Sequence, residues 1–115
     1  MNKLGQLYEQ LALAYLQQPG LQLLQQNYQC KAGEIDLVMR ERDSLVFVEV
    51  KYRASTAFGG AVAAVTRAKQ QKLLRASRWY LQQHKAADQP CRVDVLTIEG
   101  QPPYQYNWIK NAISQ

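Results

Sequence analysis

A predicted β-hairpin over residues 33–53 constrains this 115-residue chain more than any other segment. Two runs rich in Ile, Leu, Val and Phe flank a turn at residues 42–43, a pattern typical of paired, half-buried strands. A symmetric turn there sets Asp36 directly opposite Glu49, with Cβ atoms about 5 Å apart. Glu49 and Lys51 point to the same face, because side chains alternate along a strand.

Two carboxylates this close repel each other, by roughly 3 kcal/mol at an effective dielectric constant of about 20. Lys51 offsets part of this repulsion, and a hard divalent cation offsets more, since Mg²⁺ binds one or two carboxylates together with waters and phosphate oxygens. Lys51 is also placed to orient or deprotonate an attacking water. The alternative is a solvated hairpin face with ordinary charges. Leu45 and Phe47 share the face of Glu49, which predicts partial burial and favours a functional site formed by Asp36 and Glu49.

The length of the chain indicates its number of domains, and the distribution of charge indicates what it binds. A chain of this length is sufficient for one domain with a hydrophobic core, so we expect a single domain over residues 1–115. Residues 31–49 hold five of the nine acidic side chains, whereas residues 51–92 hold nine bases and one acid. An acidic hairpin beside a basic second half predicts a cation site next to a surface that binds a polyanion. A basic surface without a ligand is the alternative.

Cysteine and histidine usage excludes other classes of protein. Cys30 and Cys91 do not form a disulfide framework and are predicted to fill the core near strand ends. His84 is the single histidine, which excludes a multi-histidine zinc site and disfavours Ser-His or Cys-His catalysis. Without a secretory signal or an apolar run of membrane-spanning length, we expect a reduced, cytoplasmic protein that does not bind membranes.

Hydrophobic periodicity predicts the element order α-β-β-β-α-β. Apolar residues recur at helical spacing in two segments, which predicts helices over residues 3–17 and 62–84, and Phe58-Gly59-Gly60 predicts a loop before the second helix. The four predicted strands are residues 21–30, 33–40, 44–53 and 91–98. Residues 104–113 are predicted to close the core as a short strand or helix. The second helix joins two strands as a crossover, which favours an α/β sandwich with a mixed sheet.

Each predicted helix has an apolar side and a polar side. The apolar stripe of the first helix is Leu4, Leu7, Tyr8, Leu11 and Tyr15. Glu9 lies at the edge of this stripe, from which its carboxylate could reach the metal face, although a surface glutamate is the commoner fate and is favoured on residues alone. The predicted buried stripe of the second helix is Val62, Val65, Leu73, Ala76 and Tyr80. Its basic arc is Arg67, Lys72, Arg75, Arg78 and Lys85.

These residues also carry a resemblance to known families. Asp36 followed by Glu49-Val50-Lys51 resembles the PD-(D/E)XK nuclease superfamily, with Ile35 in place of the proline of the motif name. Nearly the whole chain resembles the bacterial YraN-type family, described as uncharacterised and nuclease-like. The blocks that carry this resemblance are Gly5-x-x-x-Glu9, Gly33-Glu34-Ile35-Asp36-Leu37, Val46-Phe47-Val48-Glu49-Val50-Lys51, Arg92-Val93-Asp94-Val95 and Asn111-Ala112-Ile113. The family is distantly similar to archaeal Holliday junction resolvases.

The resemblance implies a fold and a set of roles. The implied fold is restriction-endonuclease-like, a three-layer α/β/α core around a central mixed sheet. Asp36 and Glu49 are implied metal ligands, and Lys51 is the implied catalytic lysine. By analogy with the resolvases, Glu9 joins the site and the main-chain carbonyl of Val50 is a further metal ligand.

The first hypothesis is a Mg²⁺- or Mn²⁺-dependent endonuclease that hydrolyses DNA phosphodiester bonds. Its catalytic residues are Glu9, Asp36, Glu49 and Lys51. Because no base-reading element is obvious, we expect structure-selective binding, for example of branched DNA, and a homodimer would suit a two-fold junction. The residues expected to contact phosphates are Arg53, Arg67, Lys69, Lys72, Arg75 and Arg78.

Two other functions stay open on the sequence. A non-catalytic nucleic-acid-binding or adaptor module would use the same basic helix and would need no metal between Asp36 and Glu49. A protein-interaction module would use Tyr104, Tyr106 and Trp108 as an exposed apolar patch. Docking of these three aromatic side chains on the core is the simpler interpretation and is favoured.

Overall fold

Five strands and two helices make up the described part of the chain, residues 3–54 and 65–114, in a computed structural model. The elements are α1 (Lys3–Gln17), β1 (Gln22–Cys30), β2 (Gly33–Glu41), β3 (Ser44–Arg53), α2 (Arg67–Gln83), β4 (Cys91–Glu99) and β5 (Gln105–Ile113). The strands lie in the order β1-β2-β3-β4-β5. Only β3 and β4 pair in parallel within this sheet. The protein is therefore a compact α/β fold with a mixed five-stranded sheet, and α2 is the crossover.

The predicted element order is confirmed, with one strand more than it contained. The tail forms β5, which pairs antiparallel with β4. The second helix begins at Arg67 and not earlier, because Thr66 is its N-cap and accepts a hydrogen bond from Lys69 N at 3.2 Å. Val65, predicted on the buried stripe of this helix, is buried but precedes it. The predicted loop at residues 58–60 and the helix start at residue 62 lie outside the described residues.

The hairpin of β2 and β3 has the predicted register. Its Cα partners run from Leu37–Val48 to Glu41–Ser44, so the numbers of each pair sum to 85 as expected from a symmetric turn. Arg42 has a φ of 54°, a left-handed conformation that suits a two-residue hairpin turn. The register places the residues after Val48 beside those before Leu37, where the candidate site lies.

The two helices pack on opposite faces of the sheet. One core includes Leu73, Ala76 and Tyr80 of α2 together with Leu45 and Phe47 of β3. The second core lies against α1, and its fully buried members include Ala12, Leu16, Val46, Val48 and Leu96. Since neighbouring residues of β3 alternate between the two cores, each helix covers one face.

The apolar stripe predicted for α1 is partly wrong. Leu4 and Leu7 are 57% and 45% exposed, whereas Ala12 and Leu16 are completely buried. Stacking of aromatic side chains sets the rotation of the helix. Tyr8 stacks on Tyr52 of β3 at 4.3 Å between ring centroids, and Tyr15 stacks on Tyr106 of β5 at 4.4 Å. These contacts turn the middle of α1 toward the sheet.

The aromatic side chains of the tail dock on the core, as favoured from the sequence. Tyr104 contacts Tyr8 edge-on at 6.1 Å, and Trp108 contacts Tyr15 in the same way at 6.4 Å. Tyr104, Tyr106 and Trp108 are half-buried against the α1-side core. These three aromatic side chains therefore do not form an exposed patch.

One of the two cysteines does not have its predicted role in the core. Both are free. Cys30 is half-buried and packs against the α2-side core, as expected. Cys91 is exposed, so its predicted role in the core is wrong, because β4 begins there at an exposed end of the sheet. Neither helix described here has the length and apolar character needed to span a lipid bilayer.

A buried ionic network ties β4 to β5. Asp94 is completely buried and accepts hydrogen bonds from Arg92 Nε at 3.0 Å, Trp108 Nε1 at 2.9 Å and the Asn111 main-chain N–H at 2.8 Å. Arg92 Nη1 also donates to Glu41 Oε1 at 2.8 Å. Arg92 holds the pKa of Glu41 below its ordinary value, mainly through this hydrogen bond. The network holds the β5 bulge against β4, where their pairing shifts.

Replacing Asp94 with Ala should destabilise the fold strongly. Arg92 would keep its charge in a largely buried position, and the two donors from β5 would lose their acceptor. Breaking a buried pair in this way costs about 3–5 kcal/mol. The measurement is the free energy of unfolding from urea titration followed by circular dichroism. Glu41→Gln is the control, because this more exposed arm should cost about 1 kcal/mol or less; equal losses in both variants would contradict the importance given to Asp94.

Candidate active site

Glu49 is a buried carboxyl group in the middle of the sheet. It follows Leu45 and Phe47 on the α2 side of β3 and is 3% exposed. Because side chains alternate along a strand, Glu49 lies in the same column as these core residues. Packing of this apolar column therefore also removes Glu49 from water. A buried carboxyl group is rare unless it is paired, hydrogen-bonded or bound to a metal. Its surroundings therefore decide what it can do.

Asp36 lies beside Glu49 and is held by the backbone of β3. Its Oδ2 accepts a hydrogen bond from the Val50 main-chain N–H at 2.8 Å. The main-chain pairing of the hairpin ends one step earlier, at Leu37–Val48. Ile35 and Leu37, which would share a face in a regular strand, pack in different cores. The alternation of β2 is thus interrupted at Asp36, and its side chain takes the place of a main-chain acceptor.

The two carboxyl groups interact with each other. Burial, the charge of Asp36 and a hydrogen bond between the two side chains raise the pKa of Glu49 to about 8 from its ordinary value of 4.5. Lys69 and Lys51 act in the opposite direction. The burial dominates, because a charge in an apolar column loses its hydration. The predicted proximity of Asp36 and Glu49 is therefore present in the structure.

Two lysines approach this carboxyl pair from different elements. Lys69 Nζ, in the first turn of α2, is 3.8 Å from Glu49 Oε2. Lys51 lies one pleat beyond Glu49 on the same face of β3 and is half-buried. Lys51 is thus where the sequence predicted it. Lys69, predicted as a phosphate contact, lies within ion-pair distance of the buried carboxyl group.

Glu9 reaches the edge of the site from α1. Burial and the charge of Asp36 raise the pKa of Glu9, and a hydrogen bond with Asn27 acts in the opposite direction. Glu9 and Asn27 line a cavity of about 260 Å³ whose other walls are Gln6, Gln10 and Gln26. Glu9 therefore lies near Asp36, as the resemblance implied, but in a polar recess of its own.

The donor set suits a small divalent cation in part. Asp36 and Glu49 supply carboxylate oxygens, and Mg²⁺ is commonly held by one or two carboxylates together with waters and substrate phosphates. Across residues 3–54 and 65–114, no three or more His, Cys, Asp and Glu side chains converge in a way that could hold a metal ion. Asp36 and Glu49 are the carboxylates that such an ion would use; Glu9 and the carbonyl of Val50 stay predicted ligands.

The other basic residues lie at different distances from the pair. Lys72 lines a cavity of about 350 Å³ together with Lys69. Arg53 is half-buried at the end of β3. The remaining predicted phosphate contacts are exposed on α2 and none has a described contact with the carboxyl pair: Arg67, Arg75 and Arg78. The structure thus brings Lys69 to the site and leaves these three arginines on the outer surface of the helix.

Asn27 is the residue that sequence analysis missed. It has a φ of 53° in the middle of β1, a left-handed conformation that asparagine tolerates better than most residues. This conformation accompanies the interruption of β2 at Asp36, since Gln26–Leu37 and Tyr28–Ile35 are the flanking pairs. An asparagine inside a strand was the only signal in the sequence, and it does not identify the contact with Glu9.

Comparisons with known proteins show which family the chain belongs to, and the names of its relatives state no activity. Residues 8–98 match the model described as "Uncharacterised protein family UPF0102". A UPF0102 protein of Aeromonas hydrophila is 53% identical over 110 residues, covering 94% of this chain and 82% of that protein. Another from Nitrosomonas europaea is 51% identical over 107 residues, covering 93% and 90%. These matches confirm the resemblance to the YraN-type family.

The buried carboxyl group should make stability fall as pH rises. Because the folded state raises the pKa of Glu49 to about 8, it retains a proton that the unfolded chain releases above its ordinary pKa. The metal-free protein should therefore lose up to about 1.4 kcal/mol per pH unit between these two values and level off above the higher one. Urea titrations in EDTA across this range measure the effect.

Glu49→Gln is the matched control for this pH dependence, since the amide keeps the shape of the side chain and does not titrate. The stability difference between wild type and variant isolates Glu49 from the nearby Asp36, Lys51 and Lys69 groups. A difference that stays constant with pH would show that Glu49 titrates normally.

Proposed function

Because the chain belongs to the uncharacterised protein family UPF0102, we propose its function from its own residues: a divalent-metal-dependent endonuclease that hydrolyses DNA phosphodiester bonds. The observation that carries the proposal is the arrangement of two neighbouring carboxyl groups, Asp36 held by the Val50 N–H and Glu49 buried, beside Lys51 and Lys69. Acids and bases gathered in this way form the kind of site that binds a metal and a phosphate together.

We infer that the fold is restriction-endonuclease-like, within the PD-(D/E)XK superfamily and distantly related to archaeal Holliday junction resolvases. Three features support this inference. The sheet is mixed and has α1 and α2 on opposite faces. The hairpin carries the Asp and Glu-x-Lys residues on adjacent strands. A glutamate of the first helix lies near the aspartate.

Asp36 and Glu49 would hold Mg²⁺ or Mn²⁺, with Glu9 and the Val50 carbonyl as further candidate ligands. A bound ion would neutralise the carboxyl pair, polarise the scissile phosphate and lower the pKa of a water. The hydrogen bond from Val50 N to Asp36 keeps one ligand in place before the ion arrives. Such preorganisation reduces the ordering cost of binding.

Each lysine has a separate role in the proposed reaction. Lys51, half-buried on the Glu49 face, would orient the attacking water or stabilise charge on the phosphate in the transition state. Lys69 pairs with Glu49 before substrate binds, and a metal ion would compete with it for the same carboxylate. We propose that Lys69 then turns to a substrate phosphate. Glu9, through its position beside Asp36, would order the polar recess next to the ion.

The basic surface of α2 supports DNA as the substrate. Arg67, Lys72, Arg75 and Arg78 are exposed on this helix, and the net charge of the chain is +5. Such side chains contact phosphates and position DNA without reading bases. We therefore propose structure-selective binding, for example of branched DNA, with a homodimer at a two-fold junction. The free cysteines suit a reducing, cytoplasmic setting.

A non-catalytic nucleic-acid-binding module is the second candidate. One observation favours it: within the described residues, no third acidic side chain converges with Asp36 and Glu49 to hold an ion. In that case the ion pair between Lys69 and Glu49 would serve only to attach α2 to the sheet. Metal binding and cleavage distinguish the two candidates.

The first test is cleavage of a DNA panel, comprising duplex, single strand, flap and four-way junction, in Mg²⁺ and in Mn²⁺. Lys51→Ala should lower the single-turnover rate about a hundredfold to ten-thousandfold, because it removes a group that acts on the water or the phosphate. DNA binding should change little. Lys85→Ala is the matched control, since this exposed lysine lies beyond α2 and should leave the rate within about twofold.

Two outcomes would contradict the endonuclease proposal. Retention of full activity in Glu49→Gln would exclude the carboxyl pair as the metal site. Binding without cleavage on every substrate, in both metals, would favour the non-catalytic module. Retained cleavage in Lys51→Ala would exclude the role given to Lys51 while leaving the nuclease intact.

Metal binding should also stabilise the folded protein. At a Mn²⁺ or Mg²⁺ concentration of about 100 times Kd, the stabilisation is about 3 kcal/mol for a ligand that binds only the native state. Thermal unfolding with and without EDTA measures this as a rise in Tm. Asp36→Asn and Glu49→Gln should remove most of the rise, whereas Asp88→Asn, an exposed acid after α2, should keep it. An equal rise in all variants would place the metal elsewhere.

A further inference from the structure

A groove separates α2 from the turn that joins β1 to β2, and it leads away from the carboxyl pair. Two neighbouring cavities, of about 350 Å³ and about 500 Å³, form it. Both are lined by Gln29 and Cys30, so the cavities adjoin. We call this feature the α2 groove. Its larger cavity lies within the range of about 300–1,000 Å³ that is usual for small-molecule sites.

The near end of the α2 groove is part of the candidate active site. Lys69 lines the smaller cavity and also lies 3.8 Å from Glu49. Lys72 follows one turn later on the same wall. Gly33 forms the opposite wall with a φ of 147°, and a Cβ there would meet Lys72 Cβ at 3.4 Å. The helix and the turn thus approach closely here, and the groove continues past them.

The far end of the α2 groove has a different chemistry. Trp79 is 45% exposed and lines the larger cavity. Gln82 and Gln83 lie beside it, and Tyr28 donates a hydrogen bond to Gln83 Oε1 at 2.8 Å. This bond fixes the orientation of the Gln83 side chain at the groove wall. A flat aromatic ring next to amide groups offers a stacking surface together with hydrogen-bond donors and acceptors.

We propose that the α2 groove binds an unpaired stretch of a nucleic-acid strand, with one base stacked on Trp79 and the phosphates of the strand along Lys72 and, once a metal ion has displaced Lys69 from Glu49, along Lys69. This proposal rests on the proposed function, because it takes the carboxyl pair as the active site from which the bound strand continues into the groove. Charge complementarity supports a polyanion: among the described lining residues, Lys31, Lys69 and Lys72 are basic and Glu34 is the one acid. A base on an aromatic ring with phosphates on lysines is the usual arrangement for single strands.

The dimensions of α2 define which nucleotide reaches Trp79. Trp79 lies ten positions after Lys69, which corresponds to about 15 Å along a helix. That distance spans about four nucleotides at the 3.4 Å rise of a stacked strand. Inside a duplex the faces of the bases are covered by their neighbours, so an internal base must be unpaired to stack on this ring. The structure therefore assigns a substrate with a single-stranded segment close to the scissile phosphate.

The test is binding of a fluorescein-labelled thymidine oligonucleotide of about ten nucleotides, and of a blunt duplex, by anisotropy in EDTA. Trp79→Ala should weaken binding of the single strand about tenfold to a hundredfold, because each stacked base contributes an affinity of that order. The duplex should change less than about threefold. Trp79→Phe keeps an aromatic ring and should restore most of the affinity, which separates stacking from a loss of structure.

Several outcomes would overturn the groove proposal. The proposal is wrong if the wild-type protein does not bind the single strand. It is also wrong if the Trp79→Ala protein binds the single strand with unchanged affinity. An equal loss on single strand and duplex would assign Trp79 to general DNA binding. Because the experiment contains no metal, it does not depend on cleavage: Trp79-dependent binding without cleavage refutes the endonuclease alone, whereas cleavage with unchanged binding in Trp79→Ala refutes the groove alone.

Discussion

The burial of Glu49 against Asp36 is the constraint on which the rest of the candidate site depends. A carboxyl group that is 3% exposed cannot ionise cheaply, and its neighbour is a second carboxyl group held by the backbone of Val50. The hairpin cannot relieve this contact without losing the apolar column of β3. The unfavourable charge must be offset by a proton, by Lys69 or by a cation, and these three states differ in what they can bind.

The β3–β4 pair is held on both faces by groups from other elements of the chain. On one side, α2 begins close enough for Lys69 to meet Glu49. On the other, Asp94 is aligned with Val48 in the parallel ladder, one residue before Glu49, and its carboxylate gathers donors from β4 and β5. The network keeps β4, the strand next to the candidate site, in register with β5. The position of the carboxyl pair thus depends on four strands and a helix.

Much of this arrangement was predictable from local patterns. The hairpin register follows from a symmetric two-residue turn, and the shared face of Glu49 and Lys51 follows from strand alternation; both are present. The rotation of α1 was not predictable, because it depends on stacking of Tyr8 and Tyr15 with residues far away in the sequence. The same is true of Cys91, whose exposure depends on where the sheet ends.

The sequence by itself determined that two acids and a lysine share one face of a hairpin and that a basic helix follows it. Periodicity and turn geometry act within a few residues, so they can be read without the fold. Only the tertiary structure decided how deeply Glu49 is buried, that Lys69 reaches it and that Asn27 lies beside Glu9. It also decided that Trp79 faces the turn between β1 and β2 across a groove. These contacts join elements distant in sequence, and packing of both helices on one sheet brings them together.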